Sequence, residues 1–299
     1  MKVVASIIMF FIFASFCNTQ VLQKNENRNS KFHNEIDDIE NDNDIDKLLA
    51  SINKKQFEVF IVKKELEIKD TKCRELAESV QAKSWTKADF DNNGYTDILI
   101  IGDNYGLSSV VVLDKGKNNF IAKTLTKGFP DCTVPVVRNS ESQPVIIYHT
   151  AVAAAKTLVY KFGDFIEISN SSPSYAIERI EYKTSICFGT CPSFELTINS
   201  NRQAVYKPIA YNERKQGTFK ATINNFEFDK LTGLLNYIDF PNLKDSYSVG
   251  WTDDQTSVLT VTYDGGKVKK ISDYGLIGSF GLSRAYKILF DLRENQTWK

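Results

Sequence analysis

The chain has 299 residues, with 37 basic and 37 acidic side chains, 42% hydrophobic and 25% charged residues. That balance excludes a disordered or fibrous chain and suits a globular protein long enough for two domains. The zero net charge argues against nucleic acid as a partner, because phosphate binding needs Lys and Arg in excess on one face.

Residues 1–20 read as a secretory signal peptide: Lys2, an uncharged and mostly apolar run from Val3 to Cys17, then polar Asn18-Thr19-Gln20. As a helix that run would span only about 22 Å, short of a hydrocarbon core of about 30 Å. Cleavage is expected near residues 17–20. Lipid attachment at Cys17 is disfavoured, since bulky Phe16 stands where a small residue is wanted. No later run holds eighteen consecutive apolar residues, so no transmembrane anchor is expected after cleavage.

Residues 21–47 carry eight acidic and four basic side chains and one aromatic, Phe32. Such a segment has too little apolar surface to offset its ordering entropy and reads as a disordered acidic linker.

Residues 48–170 read as a β domain. Its sharpest feature is Asp89-Phe90-Asp91-Asn92-Asn93-Gly94-Tyr95-Thr96-Asp97. Oxygen side chains recur at alternate positions, and Gly94 permits a sharp turn. Hard Ca²⁺ takes six to eight oxygens, which a curled loop of this spacing can aim at one point. The candidate ligands are Asp89, Asp91, Asn93, the Tyr95 carbonyl and Asp97. Position 12 is Ile100 instead of Glu, so the loop is not an EF-hand. The bland alternative is a hairpin turn at Asn93-Gly94 with solvated acids. The apolar run Ile98–Ile101 follows as a buried strand. Loop and strand together resemble the FG-GAP or VCBS-type repeat of integrin-like β-propellers over about residues 84–124. That resemblance implies calcium on those ligands. Residues 133–168 read as a degenerate second copy, with strands near Val134–Arg138, Val145–His149 and Thr157–Phe162. Two copies are too few for a ring, so a partial, propeller-like unit is expected.

After signal cleavage the cysteines are Cys73, Cys132, Cys187 and Cys191, an even number that favours disulfides in an exported chain. Three pairings are possible. The expected ones are Cys73–Cys132, worth roughly 4 kcal/mol by chain entropy, and Cys187–Cys191, worth roughly 2 kcal/mol. The second pair lies in Cys187-Phe188-Gly189-Thr190-Cys191-Pro192. Its three-residue spacing differs from the usual redox motif, so a structural turn ranks ahead of buried thiols and of redox chemistry. With only His33 and His149 in the chain, zinc lacks ligands.

Residues 176–299 read as an α+β domain. Strands are expected at Tyr182, Ser193–Asn199, Ala204–Pro208, Thr218–Ile223, Ser257–Tyr263 and Lys267–Ser272, with a hairpin turn at Asp264-Gly265-Gly266. Asn224 reads as the cap of a helix whose Phe228, Leu231, Leu234, Leu235 and Ile238 share a face, closed by Pro241. A second helix is expected from Ser283 to Arg293. The Cys-Phe-Gly-Thr-Cys-Pro segment, the strand Ser193–Ile198, Thr252-Asp253 and Val261–Gly265 together resemble a family of exported bacterial proteins known only as a domain of unknown function.

No nucleophile elbow, phosphate loop or zinc-protease motif occurs, and no catalytic residue is assigned. His149 ends an apolar strand and reads as a core or edge histidine. The expectation is a non-enzymatic exported binding or cell-envelope module with a protein or glycan partner. The alternatives are an extracellular hydrolase using Asp253 or Asp254 of the 241–256 loop, and a thiol-redox protein using Cys187 and Cys191.

Overall fold

The computed structural model describes residues 31–127, 132–171, 173–214 and 216–299; the signal peptide and Cys17 lie outside them. The described residues are mainly β, with antiparallel sheets and four α-helices among them. Among the described residues no helix is long and apolar enough to cross a membrane.

The first corrected expectation is the linker. Residues 31–47 are folded onto the β unit, and helix α1 (Asp42–Asn53) starts inside the segment. Asn41 caps it, its side chain accepting from the Asp44 N–H. Ile36, Ile39, Ile45, Leu48 and Leu49 are buried. They pack on Ile98, Ile100, Val110 and Val112. Ile36, Ile39 and Ile45 of the segment are buried because a sheet face and the rest of α1 receive them, and a composition average cannot register that. Helix α2 (Thr71–Ser79), capped by Asp70, follows and was likewise not foreseen.

Two four-stranded antiparallel meanders form the β unit. The first holds β1 (Trp85–Ala88), β2 (Asp97–Asp103), β3 (Leu107–Asp114) and β4 (Phe120–Thr124), in that order. The second holds β5 (Thr133–Arg138), β6 (Val145–Thr150), β7 (Lys156–Lys161) and β8 (Asp164–Glu167). The strands expected in the second copy are present. Among the described residues the strands form neither a closed barrel nor a propeller ring. Strand β2 is buried on both faces: Ile98 and Ile100 meet α1, while Leu99 joins Ile146, Leu158 and Phe165 of the second meander. That explains its near-continuous apolar run, which alternation would not produce.

The C-terminal part is a seven-stranded sheet. Strands β9 (Ile177–Thr184), β10 (Ser193–Asn199), β11 (Gln203–Ala210) and β12 (Phe219–Thr222) precede helix α3 (Asn225–Tyr237). Then come β13 (Ser246–Ser248), β14 (Thr256–Tyr263), β15 (Lys267–Tyr274) and helix α4 (Phe280–Asn295). The order is β12-β11-β10-β9-β14-β15-β13, with only β13 and β15 parallel. Alternation places Phe194, Leu196 and Ile198 inward against α3 and α4, while Glu195 faces outward and pairs with Lys183. Asn224 caps α3 as read, through the Glu227 N–H. The helix ends at Tyr237, and Pro241 sits in the 3₁₀ turn Phe240–Asn242 beyond it. Lys299 exchanges backbone hydrogen bonds with Lys220, covering the β12 edge.

The two parts share apolar surface. Val145, Val159 and Ile166 belong to the same buried cluster as Leu282, Leu289 and the C-terminal sheet. Phe280 packs edge-on against Tyr148 with centroids 5.1 Å apart.

Candidate metal centre

The acidic loop joins β1 to β2. Asn92 (φ 57°) and Gly94 (φ 88°) both adopt left-handed backbone, which curls the loop. A Cβ on Gly94 would meet the Phe32 ring at 3.1 Å, and Phe32 N–H donates to the Gly94 carbonyl at 3.0 Å. The segment read as a linker is thus laced onto this loop.

Asp89, Asp91 and Asp97 each offer an oxygen within 4.8 Å of the others. Asp89 accepts the N–H groups of Asn93 and Gly94 at 3.1 and 2.9 Å. Asp97 opens β2 fully buried and accepts Phe90 N–H and Asp114 N–H, both at 2.8 Å. Burial, reinforced by the charges of Asp91 and Asp89, pushes its carboxyl up to about 8 against those two N–H groups. Burial also raises the Asp89 carboxyl. Three acids held this close favour a compensating cation.

The fit to one ion can be tested on the donor set. Oxygens on opposite sides of Ca²⁺, each bound at roughly 2.3–2.6 Å, lie about 5 Å apart. A 4.8 Å cluster of hard carboxylate oxygens meets that requirement. The Asn93 side chain is already engaged. Asn93 Oδ1 accepts Tyr95 N–H at 2.8 Å, while its amide nitrogen donates to the Asp114 carbonyl at 2.6 Å. The Tyr95 ring lies tilted against Phe32, with centroids 5.1 Å apart.

Two residues at this site were missed. Lys115 pairs its ammonium with Asp91 and lies 5.2 Å from the Tyr160 ring centroid. Asp114, fully buried, accepts Gly116, Asn118 and Asn119 N–H groups at 2.7–3.1 Å, and Asn34 Nδ2 at 3.0 Å. The signal was present: Asp114-Lys115-Gly116-Lys117-Asn118-Asn119 is a turn sequence straight after an apolar strand.

Both cysteine pairs are at disulfide distance as paired above. Cys73 and Cys132 have Cα atoms 5.5 Å apart and tie α2 to the residue just before β5. Cys187 and Cys191 are 5.6 Å apart at Cα, between β9 and β10.

The 241–256 segment is not the open loop its length suggested, because β13 pairs with β15 inside it. Its acids are dispersed. Asp245 pairs with Lys269, and Asp254 accepts from Trp251 Nε1 at 3.0 Å. Thr252 Oγ1 donates to Asp253 at 3.2 Å. The Asp253 carbonyl accepts Phe188 N–H at 2.9 Å, so this segment meets the Cys187–Cys191 turn. His149 ends β6 half-buried, and burial together with nearby Arg138 lowers its pKa.

Residues 178–293 match the family model described as Domain of unknown function (DUF6438), placing such a domain in the C-terminal part. No curated protein and no solved structure matches the chain.

Proposed function

We propose that the protein is an exported, non-enzymatic binding or cell-envelope module whose N-terminal part is an FG-GAP/VCBS-like pair of blades stiffened by calcium. The observation that carries this reading is the convergence of Asp89, Asp91 and buried Asp97 from one nine-residue loop, with carboxylate oxygens within 4.8 Å of one another. Asp91 would exchange its Lys115 partner for the metal, so affinity should be weak, about 10⁻⁴–10⁻³ M as in extracellular modules. Export rests on the N-terminal signal and is supported by the two cysteine pairs, which need an oxidising compartment. The partner is a protein or glycan outside the cytosol.

Calorimetry with CaCl₂ on the wild type and on Asp91→Ala tests the metal. Binding heat and a higher melting temperature in the wild type, both lost in the variant, are expected. No heat and no shift in the wild type would end the reading.

A further inference from the structure

We propose that Cys187–Cys191 is a thiol-exchange site, opened by an external dithiol while the chain stays folded, and that Cys73–Cys132 is purely structural. This inference is independent of the metal reading.

Access is the first ground. Exchange requires a thiolate to reach a sulfur. Cys73 and Cys132 are 2% and 5% exposed and pack with Ala77, Ile101 and Val134. Cys187 and Cys191 are half-buried, and the three residues between them are exposed, Phe188 at 89%.

The second ground is the support beneath the turn. Gln255, 5% exposed, donates from Nε2 to the carbonyls of both Ser185 and Pro192 at 2.8 Å. Thr184 Oγ1 also donates to the Pro192 carbonyl at 2.8 Å, and Ser193 Oγ to the Thr184 carbonyl at 2.7 Å. Strands β9 and β10 bracket the turn in antiparallel register. None of these bonds depends on the sulfurs. Opening the disulfide therefore leaves both cysteines facing each other and able to reclose.

In the reaction one thiolate of the dithiol attacks a cystine sulfur. The other cysteine leaves as thiolate and takes a proton. The dithiol's second sulfur then attacks the mixed disulfide and releases the remaining cysteine, which also takes a proton. Two electrons pass from the dithiol, which becomes a disulfide, to Cys187 and Cys191, which become thiols. Phe188, beside the attacked bond and bonded to Asp253, would carry the change to the 249–255 segment.

The test is a dithiothreitol titration of the full chain, quenched with an alkylating agent and mapped by mass spectrometry, with circular dichroism on the same samples. Cys187 and Cys191 should be labelled at reductant levels that leave Cys73 and Cys132 unlabelled, with the folded signal unchanged. Joint labelling of all four cysteines, earlier labelling of Cys73 and Cys132, or loss of the folded signal as Cys187 and Cys191 open would each overturn the proposal.

Discussion

Glu167, at the end of β8, accepts the backbone N–H of Gly281 at 2.9 Å, 114 residues further along the chain. Its other oxygen accepts Phe280 N–H, also at 2.9 Å, so a carboxylate of the β unit seats the first turn of α4. Helix N-termini leave such N–H groups without intrahelical partners and favour negative charge. Burial opposes the charge of Glu167, but those N–H groups and Lys156 more than compensate, and its pKa is lowered. A carboxylate with a depressed folded pKa contributes stability above its unfolded pKa that is lost as pH falls through the folded value. Glu167→Gln should therefore lose about 1–2 kcal/mol at pH 7 and show a smaller loss on acidification. Urea denaturation at pH 7 and pH 4 checks both.

Lys127 makes the reverse contact, donating to the Gly278 carbonyl and Ser283 Oγ, each at 2.7 Å. Burial lowers its pKa to about 8, despite the attraction of Glu167 and Asp273. For a base with a depressed folded pKa, the folded state carries a full penalty below that value. The penalty fades as pH rises from about 8 toward the unfolded lysine value near 10.4. Wild type should thus gain stability relative to Lys127→Met between pH 8 and pH 10. Comparing the two proteins cancels the opposite trend from buried tyrosines such as Tyr182. Melting temperatures across that range decide it.

Removing Asp114 should loosen the β3–β4 turn and the segment it holds. Asp114→Ala strips partners from three backbone N–H groups and from Asn34. Asn118 and Asn119 are exposed and Asn34 keeps the Thr96 carbonyl, so the loss is that of charge-assisted hydrogen bonds and should be about 1–3 kcal/mol. Hydrogen exchange should rise over residues 32–40, which Asn34 anchors to the Thr96 carbonyl at 2.7 Å.

Removing the long bridge by Cys73→Ala with Cys132→Ala should cost about 4 kcal/mol by loop entropy. The separation of 59 residues is the reason. The corresponding double variant of Cys187 and Cys191 should cost about half as much, read by the same denaturation curves.

Gly281 has no room for a side chain. A Cβ there would lie 2.4 Å from Ile238 Cγ2. Gly281→Ala should cost about 1–3 kcal/mol through overpacking where α3 and α4 meet, although alanine is the better helix former.

The local order of this chain was written in its residues. Leu231, Leu234 and Leu235 at helical spacing behind Asn224, the alternation of Phe194–Ile198, and Asp-Gly-Gly between β14 and β15 all specify structure through near neighbours. Helix periods, caps and turn sterics act within a few residues, so they can be read without the fold. The acidic loop belongs to the same group: spacing alone marked Asp89, Asp91 and Asp97. Tertiary structure decided the rest. Ile36 and Leu49 are core residues only because β2 offers them a face, Lys115 reaches Asp91 from 24 positions away, and Glu167 caps a helix from another part of the chain. Such contacts depend on which surfaces remain uncovered once the sheets have formed, and that information resides in no single stretch of sequence.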